Sequence, residues 1–212
     1  MQGLNEAWEA IHFGGAMVYP LLTLGVVALF IMTDKAYVYL RYVRIPQTLV
    51  RLVETYGFSW NELEKQVDSM QSKHYFVRFF RPILENREKP AWWVESRAAD
   101  EAQLIEKSMS RGLWVLETVV TAAPLLGLLG TITGMMHAFK LIGGAGLVDP
   151  SGVTAGVAQA LIATALGLFI ALICLFAFNF FSRLQSQILD EMERLGTRLL
   201  DHIRMDQEGG AR

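Results

Sequence analysis

Three polar side chains, Thr131, Gln159 and Thr164, lie inside long apolar segments of this 212-residue chain. Hydroxyl and amide groups donate and accept hydrogen bonds, but neither titrates at neutral pH. No Asp or Glu lies deep in any of the apolar segments. If a proton relay through these segments needs a carboxylate, that group must come from another chain.

Three segments are long and apolar enough to cross a bilayer, which takes about 20 apolar residues. They are residues 13–33, 118–139 and 153–181. The composition agrees, since 52% of the residues are hydrophobic and only 19% are charged. The sequence therefore predicts an all-α integral membrane protein with three transmembrane helices. The net charge of −2 gives no reason to expect a nucleic-acid partner.

Lysine and arginine are distributed unevenly around these segments. The first twelve residues contain none and residues 140–152 contain only Lys140, whereas residues 41–111 contain twelve and the tail after Phe181 contains five. Because positive charge accumulates on the cytoplasmic side, we expect the N-terminus on the outer side of the membrane and the C-terminus in the cytoplasm. The acidic N-terminal sequence lacks the basic start of a cleavable signal peptide, so an uncleaved span is expected to direct insertion.

The predicted organisation follows from these spans and this orientation. It comprises an outer N-terminal segment (1–12), transmembrane helix 1 (13–33), a cytoplasmic helical region (34–117), transmembrane helix 2 (118–139), an outer connector (140–152), transmembrane helix 3 (153–181) and a cytoplasmic helical tail (182–212).

The cytoplasmic region has apolar residues at helical spacing. Gly57 and Ser59 indicate a break and a helix cap, and Pro82 and Pro90 bracket a predicted turn. The sequence from Trp92 onward predicts one helix that runs straight into the second span. The amphipathic tail is expected to continue the third helix, so that helices two and three extend into a cytoplasmic bundle.

Small residues gather on one face of the second and third spans. The positions assigned to helix packing are Gly127, Gly130, Gly134, Gly156 and Gly167. Apolar side chains gain little by leaving lipid, so membrane helices associate through small residues that let their backbones approach. We therefore expect spans two and three in a packed interior and the first span, which is bulky all round, against lipid.

Two interpretations of Thr131, Gln159 and Thr164 remain open, because all three share the faces of these small residues. They could join helices through hydrogen bonds worth about 0.6–2 kcal/mol each, and a threonine hydroxyl can also bond a carbonyl of its own preceding turn. Alternatively, they line a polar pathway. Three polar positions on two facing stripes favour the lining.

Two stretches of the sequence carry a resemblance. "TAAPLLGLLGTITGMMHAF" (residues 121–139), followed by "GVAQALIATALGLFIALICLFAFNFF" (residues 156–181), resembles the paired signature of the ExbB/TolQ/MotA proton-channel family. Three spans with an outer N-terminus resemble the ExbB/TolQ branch. This resemblance implies a bacterial inner membrane, with the N-terminal segment (1–12) and the connector (140–152) in the periplasm.

The resemblance implies a homopentamer whose second and third helices line a pore. Two copies of an ExbD- or TolR-like single-span partner would each bring a proton-carrying Asp, and proton flow would drive periplasmic work such as TonB-dependent import through a TonB-like protein. It places Thr131 and Thr164 at the family's pore threonines and Gln159 where ExbB and TolQ usually have Glu. A Gln carries no proton, but it can hydrogen-bond a partner's carboxyl group in either protonation state.

Other functions remain open beside the ion-driven energy converter. The chain could be a non-conducting oligomeric scaffold of the same fold, a TolQ-like envelope-maintenance protein or a stator-like motor subunit. Nothing in the sequence indicates an enzyme, a cofactor or a metal, because no nucleophile motif or phosphate loop occurs. The histidines, His12, His74, His137 and His202, are scattered, and the single cysteine, Cys174, is expected to be a small buried apolar residue.

Overall fold

A computed structural model describes residues 15–43, 47–54, 58–142 and 150–209. All regular structure in these ranges is helical, which confirms the predicted all-α class. The helices described are α1 (Val18–Tyr42), α2 (Gln47–Glu54), α3 (Trp60–Ser69), α4 (Tyr75–Glu85), α5 (Ala91–Ser110), α6 (Leu113–Ile142) and α7 (Pro150–Gly209).

Three helical stretches are long and apolar enough to cross a membrane among the described residues. They are Val18–Tyr42, Ala91–Lys140 and Pro150–Glu208. The molecule is therefore a multi-pass helical membrane protein, as the composition predicts. The segment predicted as periplasmic at residues 1–12, and residues 143–149 of the predicted connector, lie outside the described residues.

The chain divides into two compact units. The apolar unit comprises Met1–Thr33 and Gly112–Phe180, and the charged unit comprises Asp34–Arg111 and Phe181–Arg212. In the apolar unit, α6 and α7 bury small residues at intervals of three or four positions, the spacing of one helical face. The buried small residues are Ala123, Gly127, Gly130, Gly134 and Ala138 on α6, and Gly156, Ala160, Ala163, Gly167, Ala171 and Cys174 on α7.

The first span has both a buried and an exposed side in the apolar unit. Val18, Leu21 and Ala28 are buried, whereas Leu29 and Phe30 are exposed. The expectation that this helix simply faces lipid therefore omitted its buried side. A wheel of uniformly bulky residues shows no stripe, and for that reason it could not indicate which side is covered.

The core of the charged unit is built from aromatic and aliphatic side chains of several helices. Among its fully buried large residues are Leu63, Phe76, Phe80, Ile83, Ile105, Met109, Met192, Leu195 and Leu199. Gly196 of α7 lets α4 approach closely, because a Cβ atom at this position would lie 2.9 Å from Cζ of Phe79. Ion pairs surround this core, including the exposed pair Arg204–Glu95 at 3.2 Å. Exposed pairs typically contribute at most about 1 kcal/mol, so burial contributes most of the stability.

The helix predicted to run from Trp92 straight into the second span is interrupted, so that prediction was wrong. The chain ends α5 at Ser110 and begins α6 at Leu113. Gly112 between them has φ = 89°, a left-handed conformation that glycine adopts without steric cost. Its carbonyl accepts a hydrogen bond from the N–H of Val115, which opens α6.

Two predicted helix boundaries, at Ser59 and after Pro82, can be compared with the structure. Ser59 occupies the N-cap position of α3 with an extended backbone, as predicted, although its side chain makes no capping hydrogen bond; Gly57 lies outside the described residues. The turn expected from Pro82 onward begins later, because α4 continues through Pro82 to Glu85. Asn86 donates its side-chain amide to the Pro82 carbonyl at 2.8 Å and thereby bonds the end of this helix.

Within the charged unit, the end of α1 is bonded to carbonyl groups of two other helices. The buried Lys35 donates from Nζ to the carbonyl of Met109 at 2.9 Å, near the end of α5, where the last carbonyls lack helical donors. Tyr39 donates its hydroxyl to the carbonyl of Phe181 at 3.3 Å, and the two rings stack at 5.5 Å. These contacts satisfy polar groups that would otherwise be costly to bury.

Candidate functional site

The glycines of α6 and α7 lie where the two backbones approach each other. A Cβ atom at Gly127 would be 3.0 Å from the carbonyl oxygen of Ala163, and one at Gly134 would be 3.0 Å from that of Gly156. A Cβ at Gly167 would be only 2.5 Å from the carbonyl oxygen of Ala123. These neighbours are backbone atoms and cannot rotate away. Side chains at these positions would therefore force the helices apart.

The remaining two glycines of the stripe meet alanine side chains. A Cβ atom at Gly156 would lie 2.8 Å from the Cβ of Ala138, and one at Gly130 would collide with the Cβ of Ala163. We call the contact between α6 and α7 the glycine seam, made by Gly127, Gly130, Gly134, Gly156 and Gly167. All five glycines assigned to helix packing from the sequence thus lie in one seam within a single chain.

The two threonines use their hydroxyl groups differently. Thr164 donates from Oγ1 to the carbonyl of Gly127 at 3.0 Å, so it joins α7 to α6 across the glycine seam. Thr131 donates to the carbonyl of Leu128 at 2.6 Å, within its own helix. Both side chains are half-buried. Thr164 thus forms a hydrogen bond between two helices, whereas Thr131 bonds a carbonyl of its own preceding turn. Part of each side chain remains accessible.

Gln159 lies toward the start of α7 and is half-buried. Its side chain lies against the backbone of Gly15, the residue with φ = 72° that precedes α1. The sequence had not indicated this contact. The adjacent pair Gly14–Gly15 before an apolar run indicates a turn, because paired glycines mark turns that need unusual backbone angles. It does not indicate that Gln159 would contact this turn.

The outer faces of α6 and α7 are bulky and exposed. They carry Leu125, Leu128, Ile132, Met136 and Phe139 on α6, and Leu161, Leu168, Phe169, Leu172 and Phe176 on α7. Contiguous exposed apolar surfaces of this kind are typical of contact with lipid or with another protein. In α6 and α7, the small residues are thus buried between the helices and the large apolar residues are exposed on the outer faces.

The seam supplies hydrogen-bonding groups but no titratable acid. His137 on α6 is exposed, and Cys174 on α7 is buried, as predicted. The described part of the chain contains no cluster of three or more His, Cys, Asp or Glu side chains that could hold a metal ion. Thr131, Gln159 and Thr164 can donate hydrogen bonds to, or accept them from, a group that approaches the accessible part of their side chains.

Fold and seam together define a multi-pass helical membrane protein with a glycine-packed, polar helix pair. Residues 69–194 match the family described as the MotA/TolQ/ExbB proton channel family, and this match covers more than half of the chain. The chain belongs to this family. Its membership confirms the predicted family and the general role of a membrane component of proton-channel and transport type.

Individual relatives support assignment to the ExbB/TolQ branch. Biopolymer transport protein ExbB-like 1 of Synechocystis sp. is 30% identical over 194 residues, covering 88% of this chain and 74% of that protein. Biopolymer transport protein ExbB of Helicobacter pylori is 35% identical over 141 residues, 66% of this chain and 97% of that protein. The ExbB protein of Xanthomonas campestris is 40% identical over 93 residues, 44% of this chain and 37% of that protein.

Substituting the threonines by valine should separate their two bonding modes. Thr164→Val is expected to lower the thermal stability of the detergent-solubilised protein, because it removes the bond to Gly127 across the seam, worth about 0.6–1.7 kcal/mol. Thr131→Val should cost less, since its hydroxyl bonds only its own helix. Thermal unfolding followed by intrinsic fluorescence measures both. Equal losses at the two positions would contradict the distinction.

Proposed function

We propose that the chain is the ExbB-like subunit of a proton-driven motor in the bacterial inner membrane. With an ExbD- or TolR-like single-span partner, it couples the proton motive force to work in the periplasm, such as TonB-dependent import through a TonB-like protein. The observation that carries the proposal is the glycine seam with its half-buried Thr131, Gln159 and Thr164, in a chain of this family.

The partner is required because the seam has no proton carrier of its own. The predicted spans contain hydroxyl and amide groups but no carboxylate. A proton crossing this region therefore needs an acid from a second protein, and an intramembrane Asp on a single-span helix supplies it. Thr131, Gln159 and Thr164 line the pathway and hydrogen-bond that carboxyl group.

The assembly is a homopentamer around the partner helices. Because the small residues are already used in the seam of each chain, contacts between subunits and with lipid involve the bulky faces of α6 and α7. The N-terminus is periplasmic and the C-terminus is cytoplasmic, as the distribution of Lys and Arg supports. The charged unit then lies in the cytoplasm, where its basic side chains also meet anionic lipid headgroups.

A non-conducting scaffold is the second candidate, and Gln159 is the observation that favours it. An amide in place of the Glu usual in ExbB and TolQ leaves the pathway without a titratable group at this depth. A TolQ-like role in envelope maintenance and a stator-like motor role use the same parts as the primary proposal. They differ in the periplasmic protein that receives the work.

Stoichiometry after purification from native membranes tests the proposal. We expect native mass spectrometry of the complex in mild detergent to give five copies of this chain with two copies of a single-span protein carrying an intramembrane Asp. Reconstituted into vesicles, this complex should conduct protons, and an Asp→Asn change in the partner should abolish conduction. A ring of this chain alone that retains full function in cells would instead identify the scaffold.

A further inference from the structure

Gly15 and Gln159 make a contact that joins the start of α1 to α7. A Cβ atom at Gly15 would lie 2.6 Å from Cδ and 3.1 Å from Cγ of Gln159, and it would overlap Nε2. Non-bonded carbon atoms are separated by about 3.5–4.0 Å at their best contact distance. The Gln159 side chain therefore occupies the place where any other residue at position 15 would put its first carbon.

Gly15 is also held in a conformation that other residues avoid. Its φ of 72° lies in the left-handed region, where a side chain adds strain. In this conformation its carbonyl accepts a hydrogen bond from the N–H of Val18 at 3.1 Å, which begins α1. Position 15 thus requires glycine for two separate reasons. Its backbone adopts a left-handed conformation, and the Gln159 side chain fills the space that a Cβ atom would occupy.

We infer that Gly15 is a positioning residue, which fixes the side chain of Gln159 against the turn that opens α1. A free glutamine side chain samples many rotamers, and ordering it costs about 1.5–2 kcal/mol. The contact with Gly15 already orders the Gln159 side chain in the folded protein. Its amide is therefore oriented before a hydrogen-bonding group approaches. The first span thereby contributes to the site, although it carries none of the polar residues.

This inference deepens the proposed function, on which its consequence for proton transfer rests. If the amide of Gln159 orients the partner's carboxyl group, then the residue that orients the amide should influence conduction. The contact itself does not depend on conduction. It can therefore be tested separately, by a measurement on the isolated chain.

A matched glycine, Gly25, lies within α1 itself. A Cβ atom at Gly25 would be 3.5 Å from Cδ1 of Ile170, an ordinary contact with the end of a flexible side chain. Gly25→Ala therefore adds the same methyl group to α1 without a collision and without a left-handed backbone. It serves as the control for Gly15→Ala.

The first experiment is a double-mutant cycle in thermal stability. Gly15→Ala, Gln159→Ala and the double variant are compared as full-length protein in detergent. Gly15→Ala should lower the melting temperature by at least about 3 °C more in the wild-type background than in the Gln159→Ala background, because removal of Gln159 relieves the collision and leaves only backbone strain. Gly25→Ala should show no such dependence on Gln159.

The second experiment measures proton flux in vesicles that contain the chain and its copurified partner. Gly15→Ala should lower flux about as much as Gln159→Ala, with subunit stoichiometry unchanged, and the double variant should be no worse than Gln159→Ala alone. Gly25→Ala should conduct like the wild type. Equal flux in Gly15→Ala, Gln159→Ala and the double variant would show that both residues act through the same side chain. A loss of stability alone would instead lower the flux of the double variant below that of Gln159→Ala.

The outcomes are distinguishable. Equal penalties of Gly15→Ala in both backgrounds of the stability cycle would overturn the inference, because Gly15 would then serve its turn alone. Coupling in stability without any flux in the wild-type complex would support the contact while rejecting the proposed function. Coupling in stability together with wild-type flux for Gly15→Ala would also overturn the positioning role.

Discussion

Gly167→Ala is expected to destabilise the protein by about 3 kcal/mol, the upper end of the usual cost of overpacking. The added methyl group would lie 2.5 Å from the carbonyl oxygen of Ala123 and would also press against Cα of Gly127, at 3.2 Å. Both neighbours belong to the backbone of α6, so the whole helix must shift. Thermal unfolding in detergent should show a large decrease in melting temperature, and native mass spectrometry should show loss of the oligomer.

Gly25→Ala is the control for this variant as well, since it adds the same methyl group to a membrane helix where only Ile170 is near. It should be close to neutral in stability and in assembly. If Gly167→Ala and Gly25→Ala were equally well tolerated, the glycine seam would not be a close backbone contact, and its assignment to helix packing would have to be abandoned.

Gln159→Leu is expected to reduce partner-dependent proton flux at least about tenfold, with assembly intact. Leucine has nearly the size of glutamine but offers no hydrogen bond. A carboxyl group entering the pathway would lose a partner in an apolar setting, which costs about 1–3 kcal/mol. Flux in vesicles that contain the copurified complex measures this loss, and native mass spectrometry verifies that the subunits remain together.

Gln159→Glu provides the comparison of nearly equal shape and size. It keeps the ability to accept hydrogen bonds and adds a group that can itself release a proton as the pH rises. We expect flux to be retained with an altered pH dependence. Full activity of Gln159→Leu across the pH range would show that the amide only fills space, and the proposed role of this position would be lost.

The three spans and the packing faces of the second and third were predictable, because both follow from local patterns. Gly127, Gly134 and Gly167 repeat at helical spacing within apolar runs, so the sequence alone marked them as a stripe. Which atoms meet was not predictable. The bond from Thr164 to the Gly127 carbonyl depends on how far one helix is shifted along the other, and residue type does not specify that shift.

The features that the sequence missed have the same physical origin. The turn at Gly112 interrupts a pattern that continues unchanged on both sides, and a single glycine in a helical pattern is usually tolerated. The contact of Gln159 with Gly15 joins residues at distant positions in the chain. Periodicity describes one helix at a time, so contacts between helices require the three-dimensional structure.

The burial of Cys174 has a practical consequence for topology mapping. It is the single cysteine of the chain and is only 1% exposed, among the small residues of α7. A thiol so enclosed is shielded from maleimide reagents, and the unmodified chain already provides a silent background for labelling. The sidedness of each connector can therefore be determined with single introduced cysteines, and the native residue need not be removed from the face on which it packs.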